Sequence, residues 1–178
     1  MTFKRFAKNK AFKAPKRPKI FEPPRPETED QTDPEFDALN RKLKDRERTK
    51  AILTLKAAYP AATIPELIVM HWLNRQGIQY IYQATALGGR ARRGGLVPDF
   101  VLPYKANEVQ VFAVDGNYYH SIGFHERGFK DAASDMRLIG QQINGRTVGR
   151  VIHIWESSLY EKYPTVLTYA LAGIEMEP

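Results

Sequence analysis

The chain has 178 residues, 43% hydrophobic and 26% charged, with a net charge of +7. That is enough apolar material for one ordinary domain and an extension. The absence of cysteine excludes disulfides and thiolate zinc sites and suits a cytoplasmic or other reducing compartment. No apolar run approaches the ~20 residues of a membrane span. Met1–Ile20 is basic but has no apolar core, so neither secretion nor a membrane partner is expected.

The charge is unevenly placed. Residues 1–20 hold eight basic side chains (Lys4, Arg5, Lys8, Lys10, Lys13, Lys16, Arg17 and Lys19) and no acid. Residues 21–37 hold seven acids and one Arg, residues 38–59 seven bases and two acids, and residues 60–178 eleven of each. A neutral domain with a basic arm points to a polyanion partner, DNA first. A solubilising tail, or one that docks on a protein partner, is the other reading. Lys, Pro and Phe occur without periodicity through Met1–Glu29, so residues 1–32 are expected to form an extended arm.

Asp33-Pro34-Glu35 has the pattern of a helix start: an N-cap, Pro at the first helical position and an acid in the first turn. It predicts one charged helix within 33–59, from Pro34 to Ala58, whose first half projects and whose second half docks through Ile52, Leu53 and Leu55. Thr63-Ile64-Pro65-Glu66 opens an apolar helix that Gly77 stops. Ile78–Gln83 reads as a strand. Gly88–Gly95 is a Gly/Arg loop with Arg90, Arg92 and Arg93, either a basic finger on a DNA backbone or a solvated hairpin tip. Leu96–Leu102 and Val109–Val114 are β-branched and aromatic runs around the polar connection Pro103–Glu108, and they predict a hairpin. A helix follows from about Glu126 to Ile143, stopped by Asn144-Gly145, then a strand Val148–Trp155 and a helix Pro164–Met176. From Thr63 the order is α-β-β-β-α-β-α. The fold class is therefore α/β (α+β): residues 60–178 build a mixed central sheet flanked by helices.

Asp99 lies inside the first hairpin strand and Asp115 ends the second. A carboxylate in an apolar strand is costly to desolvate unless it is paired or holds a metal. If Asp99 lies opposite Ala113, both acids share one face at diagonal spacing; a slip of one residue separates them. Asp115-Gly116 is equally well a turn. Glu66, His120 and the pair Asp131/Asp135 complete the set of candidate groups. Magnesium takes hard oxygen ligands, and phosphodiester hydrolysis needs a cation and a means of activating water. Glu66 has a second explanation, since Thr63-x-x-Glu66 is a capping box. His71 and His125 read as core and loop residues. His153 alternates with Ile152 and Ile154 and faces away from them.

The order Glu66, Pro98-Asp99-Phe100-Val101-Leu102-Pro103, Val114–His120 (V-D-G-N-Y-Y-H) and Val151–Glu156 (V-I-H-I-W-E) resembles the PD-(D/E)XK nuclease superfamily. It is closer to the very-short-patch repair endonuclease branch and covers roughly Thr63 to Tyr160. The resemblance implies a restriction-endonuclease-like fold and a magnesium-dependent DNA endonuclease that nicks or cuts, with manganese as a substitute metal. By position, it makes Asp99 the metal-binding aspartate and Glu66 the helix-borne glutamate. The Val114 carbonyl becomes a main-chain ligand, and His120 a histidine near the cleaved phosphate. Asp115 stands where the superfamily has lysine and the branch has histidine, and is left to bind metal or act as a base. Ala113 stands where the superfamily has an acid. That departure favours the alternative, an inactive nuclease-fold subunit serving as a structural or nucleic-acid-binding component of an assembly. The branch's structural zinc needs cysteines, so no zinc is expected. On this reading DNA is held by the basic arm and by Arg90, Arg92 and Arg93.

Overall fold

The computed structural model describes residues 33–91, 95–116 and 133–176. The arm residues Lys4 to Lys19 lie outside them, as do Arg92, Arg93, His120, His125, Asp131 and the side chain of Arg90.

Two helices stand where one was predicted: α1, Pro34–Leu43, and α2, Arg46–Ala58. Asp33 caps α1 through the Glu35 N–H, as expected. The break comes from Lys44, in the left-handed region at φ 52°, and from Asp45, whose carboxylate accepts the Arg48 N–H at 2.9 Å and starts a new helix. The Asp45–Arg48 hydrogen bonds hold that carboxyl below its ordinary pKa. Leu39 and Leu43 of the first half are buried in the same core as Ile52, so the first half docks and does not project.

Helix α3, Ile64–Arg75, is buried on nearly every side, with Leu67, Ile68, Met70 and Leu73 inaccessible to solvent. An all-round apolar helix belongs in a core. It lies against a five-stranded mixed sheet of order β1-β2-β3-β5-β4. The strands are β1, Ile81–Tyr82; β2, Phe100–Lys105; β3, Glu108–Asp115; β4, Gln142–Ile143; and β5, Arg146–Trp155. Strands β3 and β5 are parallel and the other neighbours antiparallel. Residues 133–138 form helix α4 on the way from β3 to β5. Helices α5, Glu156–Glu161, and α6, Thr165–Ala172, complete the chain.

Alternation along the strands separates two apolar layers. Phe100, Leu102, Phe112, Ile152 and Ile154 face α1–α3, α5 and α6. Val101, Val109, Val111 and Val148 face the other way, with Leu138 and Ile143. Several predicted bounds shift. The first strand of the hairpin starts at Phe100, not Leu96, and runs through Pro103 to Lys105, so the turn is only Ala106-Asn107. The strand expected over Ile78–Gln83 shortens to two residues. Gln142–Ile143 is a strand and not the end of a helix. Asn144 and Gly145, at φ 50° and 75°, form the two-residue turn between Ile143 and Arg146, the Asn-Gly hairpin turn whose backbone twist suits strands.

Candidate active site

Antiparallel register fixes the first relation. Phe100 pairs with Phe112, so Asp99, one residue before β2, is level with Ala113. Parallel register fixes the second, since Ala113 pairs with His153. Asp99, Ala113 and His153 form one row across three strands, and Asp115 lies two residues along on the same face. A cleft of about 150 Å³ opens here, lined by Asp99, Ala113, Asp115, Asp135 and His153.

Asp99 is anchored by the Val114 N–H, which donates to Oδ2 at 2.8 Å. Its pKa is pushed up to about 7. Burial is the chief cause; the Val114 bond opposes it, and the neighbouring carboxylates of Glu66 and Asp115 add to it. Crowded carboxylates raise one another in this way because like charges resist joint ionisation.

Glu66 is buried, with 7% of its surface exposed. Its Oε2 accepts from the Thr63 N–H at 2.6 Å, the Thr63 hydroxyl at 2.9 Å and the Tyr82 hydroxyl at 3.3 Å. Thr63 in turn receives the Glu66 N–H, which closes the capping box. The two explanations of Glu66 are therefore compatible. The cap consumes one oxygen, and the carboxylate as a whole still bears on Asp99. Tyr82, which receives the Gln83 amide at 3.0 Å, has its own pKa pushed up to about 12 by burial first and by Glu66 second.

His153 is the group that sequence reasoning missed. Nδ1 lies 2.6 Å from Asp115 Oδ2, and Nε2 lies 2.8 Å from Asp135 Oδ2. Two carboxylate acceptors require two N–H donors, so the ring is an imidazolium. Its pKa is pushed up to about 10, first by the Asp115 hydrogen bond, against burial, and then by Asp135. The alternation with Ile152 and Ile154 did point it to the cleft face. Nothing local in the chain, however, announces partners 38 and 18 residues away. Asp135, one member of the predicted helical acid pair, thus has a defined partner. His71 lies on α3, away from this cleft, and burial lowers its pKa.

The structure brings Glu66, Asp99 and Asp115 to one end of the sheet. His120 lies outside the described residues. Among the described residues, no three acidic or histidine side chains form a ready metal-ligand group. What converges is a carboxyl pair, Glu66 and Asp99, beside the Val114 main chain. Magnesium commonly takes one or two carboxylates, with water and substrate supplying the rest. A bound cation would offset both the burial and the repulsion that raise Asp99, so this donor set fits the ion. None of the described helices is long and apolar enough to cross a membrane. No family model, curated protein or solved structure matches the chain.

Proposed function

We propose that the chain is a metal-dependent DNA endonuclease of restriction-endonuclease-like fold, hydrolysing phosphodiesters at the Glu66–Asp99 end of the sheet. The observation that carries this is the buried Asp99 carboxyl, raised to about 7 beside Glu66 and aimed by the Val114 N–H. Perturbed carboxyls in a cleft are a signature of functional sites. Glu66, Asp99 and the Val114 carbonyl would hold magnesium, or manganese in its place. Asp115 commits Oδ2 to His153 and would join them through Oδ1. The ion supplies the Lewis acid that phosphodiester hydrolysis needs.

The chain's own groups do the rest. Thr63 and Tyr82 fix the Glu66 carboxylate. Asp99 titrates near neutrality without the ion, so taking up the cation near pH 7 should release a proton from it. His153 has both ring nitrogens occupied, so it is not the base. Its positive charge offsets Asp115 and Asp135 and makes the cleft less repellent to a phosphodiester. DNA would reach the site through the basic arm and the Gly/Arg loop.

Ala113 favours a second reading, in which the fold is kept as an inactive structural or nucleic-acid-binding subunit. A plasmid assay decides between them. Nicking or cutting is expected with magnesium or manganese and not with EDTA, and Asp99→Asn should abolish it. The same variant should melt higher at pH 8, since it removes a buried charge while keeping an acceptor for the Val114 N–H. Absence of cleavage on duplex, single-stranded and mismatched DNA, with no magnesium-dependent rise in melting temperature, would leave the inactive subunit as the better account.

A further inference from the structure

A second groove, larger than the acidic cleft, lies elsewhere on the sheet. It occupies about 760 Å³ along the β1 edge of the sheet, within the range of ligand-binding clefts. Tyr59, Tyr80 and Tyr82 line it, with Ile81 between the last two. Tyr59 is 41% exposed and Ile81 40%, so large flat and apolar surfaces stand open in a concave wall. Tyr59 meets Tyr82 edge to face at 5.9 Å, and both Tyr80 and Tyr82 rest on the buried Phe100. The aromatic wall is therefore fixed from behind. The polar lining consists of amides, including Asn74, and one cation, Arg146; no carboxylate lies among the described lining residues.

That chemistry discriminates between occupants. Aromatic faces stack on any nucleobase, amides meet base edges, and a single cation suits a phosphate. A basic peptide would find no acid here. One residue links the groove to the carboxyl pair: Tyr82 lines the groove, its hydroxyl donates to Glu66 Oε2 at 3.3 Å, and Glu66 bears on Asp99. We infer that the groove receives unpaired nucleobases of a strand whose adjoining phosphodiester reaches Glu66 and Asp99. The substrate class is then DNA with an unpaired segment beside the cut, not uninterrupted duplex. The placement of the strand rests on the nuclease reading; the binding of bases by the groove does not.

Binding is measured separately from cleavage, on the full-length Asp99→Asn protein in EDTA, with oligothymidylate and a duplex of the same length. Tyr59→Leu keeps an apolar side chain and removes the π-face. It should weaken single-strand binding roughly tenfold and leave duplex binding unchanged, while Tyr59→Phe should bind as the parent does. Arg146→Gln should lower the log–log salt slope for the single strand by about 0.7, the value for one neutralised phosphate. Parent-like single-strand affinity in Tyr59→Leu, with an unchanged slope in Arg146→Gln, would overturn the inference. If wild-type protein cuts duplex while Tyr59→Leu is silent, the groove assignment alone fails. If Tyr59→Leu loses single-strand affinity and wild-type protein cuts nothing, the nuclease reading alone fails.

Discussion

Replacing His153 with Gln should change how the protein's stability depends on pH, and the geometry sets the size of the effect. An unfolded histidine titrates near 6.5, whereas the Asp115 and Asp135 bonds hold His153 up to about 10 in the fold. Between those values the folded state carries a proton that the unfolded state has lost. Stability from this group is fully present below about pH 6.5, falls by about 1.4 kcal/mol per pH unit above it, and is gone above about pH 10. From pH 7 to pH 9 the wild-type protein should therefore lose about 2–3 kcal/mol from His153 alone. That is a large share of the ~5–15 kcal/mol that holds a domain together. Gln does not titrate, so the variant should lack this component. It can also satisfy only one of the two carboxylates well, and should be weaker than wild type at pH 7 by about 2–4 kcal/mol. Urea unfolding at pH 6, 7, 8 and 9, with EDTA present to keep cations from Asp115, measures both effects. Parallel stability–pH curves for the two proteins would refute the imidazolium clamp.

Two further perturbations test the site and its approach. Glu66→Gln keeps an oxygen for the Thr63 and Tyr82 bonds, so its melting temperature should stay close to wild type while cleavage is lost; normal cleavage in this variant would remove Glu66 from the site. Deleting residues 1–30 should weaken DNA binding and lower its log–log salt slope by about 0.9 for each phosphate that the arm neutralises, and an unchanged slope would assign the arm to a protein partner instead.

What could be read from the chain was local. The Thr63 cap, the apolar run through Leu73 and the paired β-branched runs around Asn107 each lie within a few residues of what they form. The break at Lys44-Asp45 was hidden because Asp45 sits among seven bases and one other acid within residues 38–59, where its capping role looks like ordinary charge. The β4–β5 hairpin was missed because Asn-Gly ends helices as well as turning strands, and a strand of two residues leaves no periodicity to set against the helical reading. Helix α5 starts at Glu156 with no side-chain cap, so no start signal marks it. The site divides in the same way. Asp99 and Asp115 were legible because a carboxylate in an apolar run is conspicuous. The bonds of His153 depend on β5 pairing in parallel with β3 across a long crossover, which no short window of sequence encodes.

Ala113 was the residue that counted most against an active site, and the register offers a physical account of it. It lies level with His153 on one side and Asp99 on the other. A larger acidic side chain there would project between them into the cleft of about 150 Å³. It would crowd the imidazolium and bring a further negative charge against Asp99, which burial and its neighbours already push up to about 7. With alanine at that point, His153 can span from Asp115 to Asp135, and Asp99 stands at the far end of the row with Glu66 of α3 beside it. Ala113 and the buried imidazolium then belong to one arrangement: the small side chain leaves the room that the clamp occupies.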